Sequence, residues 1–169
     1  MNPSASKPLP SEAGEAVDLA KDVARNAPSQ HEAPARVVID TNIVLDLLVF
    51  ADPHCAELRA ALEAGSLQWL ATPAMREELL RVLDYPQLQP RLAFYGLVPA
   101  QVMAAFDARA TLCPAAPKAP CTCKDPDDQK FIDLAVAQRA CLLSKDKAVR
   151  AMRKRLERLG VEMHLPARA

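Results

Sequence analysis

Arg36-Val37-Val38-Ile39-Asp40-Thr41-Asn42 reads as a short strand that runs straight into the start of a helix. Its β-branched residues are continuous rather than alternating with polar ones, the pattern of a parallel strand covered on both faces. Asp40 ends the strand, and Thr41 can cap a helix continuing through Ile43, Leu47 and Phe50. An acid at the carboxyl end of such a strand lies where open α/β sheets gather ligand-binding groups.

The pattern recurs downstream. Leu67 to Ala71 is a second strand, and Thr72-Pro73 opens a helix through Met75, Leu79 and Leu83 that carries Glu78. Upstream of it, Asp52-Pro53 breaks the first helix and starts another from His54 to Glu63, closed by Gly65. Residues 85–96 read as a broken helical stretch, Pro99 to Ala108 as a helix and Ala110 to Cys113 as a third strand. A proline-rich loop then runs to Asp127, long enough to suggest a functional role. A helix follows with Phe131, Leu134 and Ala135 inward, then a fourth strand over Cys141 to Ser144. Lys147 to Gly160 reads as one helix, with Val149, Met152, Leu156 and Leu159 apolar, and Val161 to Leu165 as a fifth strand. Strands alternating with helices call for an α/β sandwich with a mostly parallel sheet.

Four acidic positions fall at these junctions or near them: Asp40, Glu78, Asp128 in Asp125-Pro126-Asp127-Asp128, and Asp146 in Leu143-Ser144-Lys145-Asp146. If they converge, two like charges about 4 Å apart at an effective dielectric near 20 repel by about 4 kcal/mol. Such a cluster persists only if some carboxylates protonate or a cation sits between them. All-oxygen ligands select a hard ion, so Mg²⁺ or Mn²⁺ is expected rather than Zn²⁺, and a phosphodiester is the natural substrate. Alone, each Asp is as well explained as a cap or turn residue and Glu78 as an exposed helix residue; the joint pattern lifts them above that.

The 169 residues, half of them hydrophobic, suit one compact domain with its own core. Lys and Arg balance Asp and Glu at 21 each, so any surface that holds a polyanion must be local. The run Lys145, Lys147, Arg150, Arg153, Lys154, Arg155 and Arg158 is the candidate, with the solvated face of a helix as its alternative. Asp46, on the first helix, is expected to face solvent. No apolar run is long enough to span a bilayer, the N-terminus lacks the apolar segment of a signal peptide, and a soluble cytoplasmic protein with no membrane partner is expected. Residues 1–34 carry no aromatic residue and are rich in Ala, Pro, Ser and Glu, a composition expected to stay disordered apart from a weak helix over residues 12–25. The folded domain is expected over residues 35–166, with 167–169 as a tail. Cys55, Cys113, Cys121, Cys123 and Cys141 are odd in number and irregular in spacing; without a C-x-x-C pair or a neighbouring histidine they read as free thiols rather than a zinc site.

Val37-Val38-Ile39-Asp40-Thr41-Asn42, Glu77-Glu78-Leu79, Asp125-Pro126-Asp127-Asp128 and Leu143-Ser144-Lys145-Asp146 together, in this order and spacing, resemble the PIN-domain family. These are small metal-dependent ribonucleases, many of them toxins of bacterial toxin-antitoxin pairs. The resemblance implies a Rossmann-like PIN fold, a five-stranded, mostly parallel sheet flanked by helices, with the first and fourth strands side by side. It assigns Asp40, Glu78, Asp128 and Asp146 to the family's acidic quartet, as catalytic residues and as ligands of Mg²⁺ or Mn²⁺. Asn42 and Ser144 match its supporting polar positions. The third acid stands open between Asp125 and Asp128, with spacing to the Leu134-Ala135 turn favouring Asp128 and leaving Asp125 a supporting role. Glu77 and Glu78 point about 100° apart on a helix, so one of them enters the site, and Glu78 precedes Leu79 as the pattern expects.

The function implied is hydrolysis of RNA by an activated water, with no covalent intermediate. Lys145, Lys147, Arg150, Arg153 and Lys154 would touch the RNA backbone. A cognate antitoxin, occluding the carboxylates with an Arg, and a second copy of the chain are the protein partners expected. Two alternatives remain: a non-catalytic PIN-like module binding nucleic acid or protein, and a Mg²⁺-dependent phosphatase or phosphotransferase with Asp40 as nucleophile. Against the latter, enzymes of that kind usually carry a second acid two residues on, where this chain has Asn42.

Overall fold

The computed structural model describes residues 33–166. The N-terminal extension expected to be disordered, its weak helix and the tail at 167–169 lie outside the described residues. Four strands, β1 (Ala35–Ile39), β2 (Leu67–Ala71), β3 (Ala110–Leu112) and β4 (Cys141–Leu143), form one sheet in the order β3-β2-β1-β4. All three pairings are parallel. The central position of β1 explains its unbroken β-branched run: Val37 and Val38 are fully buried, as a strand covered on both faces requires.

The expected Rossmann-like α/β fold, with first and fourth strands adjacent, is what forms. Among the described residues the sheet has four strands rather than five. Residues 161–165 run beside β4, but the Leu142 amide donating to the Glu162 carbonyl at 2.8 Å is a single ladder bond, and no strand results. The Cys141 thiol donates to the His164 carbonyl at 2.6 Å instead, and burial pushes it up to about 12, a tie for the chain rather than a nucleophile.

Helices α1 (Thr41–Leu48), α2 (Ala56–Glu63), α3 (Pro73–Leu83), α4 (Gln89–Phe94), α5 (Pro99–Arg109) and α6 (Gln129–Gln138) connect the strands, with 3₁₀ turns at Pro53–Cys55 and Pro126–Asp128. The helix expected over 147–160 is two short ones, α7 (Lys147–Arg150) and α8 (Arg153–Arg158). Helix α3 starts as its Thr-Pro signal predicts, the Thr72 hydroxyl accepting from the Met75 amide at 3.4 Å. Helix α6 ends at Arg139, which takes the left-handed conformation (φ 48°) usually given to glycine. It packs on β1 and β4. Trp69 and Phe106, edge to face at 5.0 Å, fill the core on the β2 side.

Candidate metal centre

The register of β1 and β4 builds the site. Ile39 pairs with Leu143, and the Asp40 amide donates to the Leu143 carbonyl at 2.9 Å, so the residues just past both strand ends lie side by side. The Ser144 hydroxyl donates to Asp40 Oδ2 at 2.6 Å and accepts from the Asp146 amide at 3.1 Å. Asp146 Oδ1 in turn accepts from the Ala148 amide at 2.7 Å, capping α7. Asp40 occupies the N-cap position of α1, but its side chain makes no capping hydrogen bond; Thr41, expected to cap, is the first helical residue. The Asp40 carboxylate stays available to the site although the residue is only 4% exposed.

The long loop before α6 is held by that helix. Gln129 Nε2 donates to the Cys121 carbonyl at 3.0 Å and to Asp133 Oδ1 at 2.8 Å, and its Oε1 accepts from the Cys123 amide at 2.7 Å. The loop therefore ends in a set place, where Asp125 Oδ1 accepts from the Asp127 amide at 3.0 Å and Asp128 closes the 3₁₀ turn. Both acids left open by the sequence arrive together: Asp125, Asp128 and Asp146 each offer an oxygen, all within 4.8 Å of one another. Asp40 is close enough for its charge to act on Asp128.

Electrostatics mark this as a strained group when empty of positive charge. Burial pushes the Asp128 carboxyl up to about 7, aided by the charges of Asp40, Asp146 and Asp125 and by a hydrogen bond to Asp146 that only the protonated form can donate. Asp40 is also raised, chiefly by burial and further by Glu78 and Asp146, while the Ser144 hydroxyl and the nearby Asn42 amide pull it back. Asp128 Oδ2 is buried and has no hydrogen-bond partner among the described residues. A carboxylate with an orphaned, buried oxygen, grouped with two further carboxylates and near the charge of a third, is a donor set that a hard divalent cation fits.

Glu78 is placed differently from the quartet expected. The half-buried Glu78 is turned inward while Glu77 is exposed. Glu78 Oε1 accepts from the Thr41 hydroxyl at 3.3 Å, and Oε2 forms an ion pair with Lys130. It stands near Asp40 but outside the group of three. Lys130 was not singled out from sequence; a lysine in the first turn of a helix carries no local signal of its partner. The Asn42 side chain is exposed and hydrogen-bonds none of these carboxylates among the described residues.

Next to Ser144 lies a cleft of about 560 Å³, lined also by Lys147, Arg150, Arg153, Lys154 and Met163. Four of the five basic residues proposed to meet RNA therefore share one concavity that touches the Asp40 partner. Lys145 does not: its ammonium pairs at 2.5 Å with Asp46. Asp46 is 9% exposed, not solvent-facing, and Lys145 supplies the charge that makes its burial tolerable.

Comparison with known proteins agrees with this fold. Residues 36–148, more than half of the chain and including every carboxylate named above, match the family model described as PIN domain. Among solved structures, the chain is similar to one in the crystal structure of VapBC2 from Rickettsia felis bound to a DNA fragment from their promoter. The likeness covers 75% of this chain and 97% of that one, with 14% identity and a TM-score of 0.51. No curated protein gives a significant sequence match. A strand-end carboxylate group, built on a parallel sheet whose first and fourth strands pair, thus sits inside a matched segment that spans most of the fold, and the chain belongs to the PIN-domain family.

Proposed function

We propose that this protein is a metal-dependent endoribonuclease and the toxin of a bacterial toxin-antitoxin pair. The observation that carries the first part is Asp128, whose Oδ2 is buried and unpartnered and whose carboxylate shares a ligand-sized group with Asp125 and Asp146 and feels the charge of Asp40. These four residues would hold Mg²⁺ or Mn²⁺, with Glu78 at the margin. The bound ion supplies an activated water and neutralises charge building on the phosphoryl group.

The chain's own residues do the positioning. Ser144 holds the Asp40 carboxylate in one rotamer through its 2.6 Å hydrogen bond. Lys147, Arg150, Arg153 and Lys154 draw the RNA backbone into the cleft beside Ser144, which explains how a neutral protein can hold a polyanion. Asp40, buried and hydrogen-bonded on Oδ2, is set to hold a cation rather than to attack phosphorus, which favours hydrolysis over phosphotransfer. The toxin assignment rests on the family and on the fold shared with VapBC2. Its partner would be a small protein that covers the carboxylates, and a short reading frame adjoining the gene is the corresponding expectation. No helix among the described residues is long and apolar enough to cross a membrane.

The test is hydrolysis of a mixed-sequence single-stranded RNA with Mg²⁺, Mn²⁺ or EDTA, beside Asp40→Asn as the contamination control. Cleavage that needs metal and is lost in the variant supports the nuclease. Intact RNA with both proteins, and no metal bound, would favour a binding module.

A further inference from the structure

Asp46 is the one acid inside the apolar run Ile43 to Leu48 of α1; it is buried, and its carboxylate pairs with the Lys145 ammonium. Lys145 stands between Ser144, which donates to Asp40, and Asp146, a member of the carboxylate group. We propose that Asp46 is a positioning residue of the metal centre: through Lys145 it fixes the turn Ser144-Lys145-Asp146 against α1, so that Ser144 meets Asp40 and Asp146 enters the carboxylate group. The inference rests on the metal-centre reading above and adds a residue that acts on the centre from outside it.

The side chains of this turn reach α1 at two points. Ser144 Oγ holds Asp40 Oδ2 at the start of the helix, and Lys145 holds Asp46 roughly 9 Å further along its axis. A single tie leaves a turn free to pivot, whereas two set its direction. The hydrogen bonds from the Asp146 amide to Ser144 Oγ and from the Ala148 amide to Asp146 Oδ1 are internal, and they shape the turn without fixing it against α1. Asp46 sits where the exit of α1 is tied as well: its carbonyl accepts from the Asp52 amide at 3.0 Å, and Asp52 Oδ1 accepts from the His54 amide at 2.9 Å.

A buried ion pair adds little net stability, because desolvating both charges offsets most of their attraction, and an apolar pair of similar volume would serve the core as well. What the charged pair adds is direction. A Leu at position 46 would pack against any apolar neighbour, but a buried carboxylate requires its cation. The Lys145 side chain is 56% exposed, so solvent is open to it, yet its ammonium turns in to Asp46. Lys145 lines no part of the basic cleft, which makes loss of the pair separable from RNA binding.

Direct electrostatics and positioning differ in sign. If the two charges act on the centre only at a distance, Lys145→Met removes a repelling cation and tightens Mn²⁺ binding, while Asp46→Asn weakens it. The double variant, which removes one charge of each sign, would then stay near wild type. Positioning instead weakens Mn²⁺ binding in Lys145→Met and in the double variant alike, by about 10-fold. The experiment is Mn²⁺ titration calorimetry on the full chain for wild type, both single variants and the double variant, with urea denaturation of each in EDTA. Wild-type affinity in the double variant overturns the inference, as does tighter binding by Lys145→Met. A lowered urea midpoint with unchanged affinity overturns it too, and leaves the pair a matter of stability alone. Absence of bound Mn²⁺ on wild type overturns the metal-centre reading itself. Should Lys145→Met fail to fold, because it strands Asp46 without a partner, the double variant, which leaves no charge unpaired, decides by itself.

Discussion

Ser144 Oγ and Asp40 Oδ2 lie 2.6 Å apart although 104 positions separate them in the chain. The contact exists because β1 and β4 are neighbours in register, and it joins the carboxylate group to the cleft that Ser144 also lines. Ser144→Ala removes the donor that pulls the Asp40 carboxyl down, so that carboxyl rises further. Mn²⁺ affinity is expected to fall 10- to 100-fold, the usual cost of losing an orienting partner of a ligand, with about 1 kcal/mol lost in stability. Titration calorimetry and urea denaturation together check this; a large stability loss with unchanged affinity would count against it.

Asp128→Asn is expected to abolish RNA cleavage while leaving the metal-free protein at least as stable as wild type near pH 8. The substitution removes one charge from a group whose members repel one another. Urea denaturation in EDTA is the measurement. Destabilisation by several kcal/mol would identify Asp128 as a structural residue.

The Asp128 carboxyl titrates at about 7 in the fold and near 3.9 unfolded, so between those values the folded state binds more protons. Stability from this group is present in full below about pH 4 and is lost as pH rises to about 7. Asp40, also raised, acts in the same direction. Metal binding must displace the proton, and apparent Mn²⁺ affinity should climb about tenfold per pH unit up to about pH 7 and then level off. An affinity independent of pH between 5 and 7 would refute this assignment.

Arg150→Ala with Lys154→Ala removes two cations from the cleft. Binding of single-stranded RNA in EDTA, followed by anisotropy, is expected to weaken at low salt, and the slope of log affinity against log salt to shrink by about 1.4. Lys145→Ala, by contrast, should change that slope little and cost stability, since it leaves Asp46 buried without its partner. The reverse ranking would place the RNA path elsewhere.

Arg139 closes α6 with φ at 48°, a conformation in which a Cβ is strained. Arg139→Gly is expected to stabilise the protein by about 0.5–1 kcal/mol, the relief exceeding the added freedom of the unfolded chain. A thermal melt that shifts downward would contradict it.

Local signals made much of this fold legible. The unbroken Val37-Val38-Ile39 run announced a strand covered on both faces, and Thr72-Pro73 announced the start of a helix, because these preferences arise within a few residues. The adjacency of the first and fourth strands came with the family resemblance and is the pairing that forms. Val161 to Leu165 has strand composition but makes one ladder bond, and composition alone does not count bonds.

Tertiary structure alone decided the membership of the carboxylate group. Asp125 and Asp128 both reach Asp146 because Gln129 and Asp133 hold the preceding loop, and no spacing rule separates the two acids. Glu78 is engaged by Thr41, 37 positions away, and by Lys130 from another helix. Lys145, basic like its neighbours, is committed to Asp46. The sequence by itself determined most of the elements, the last strand and the unbroken final helix excepted, and that acids stand at their junctions, since propensity and burial pattern are local properties of the chain. Which charge meets which is set by distances across the fold, and Coulomb energies at those distances decide which acids are paired and which stand together.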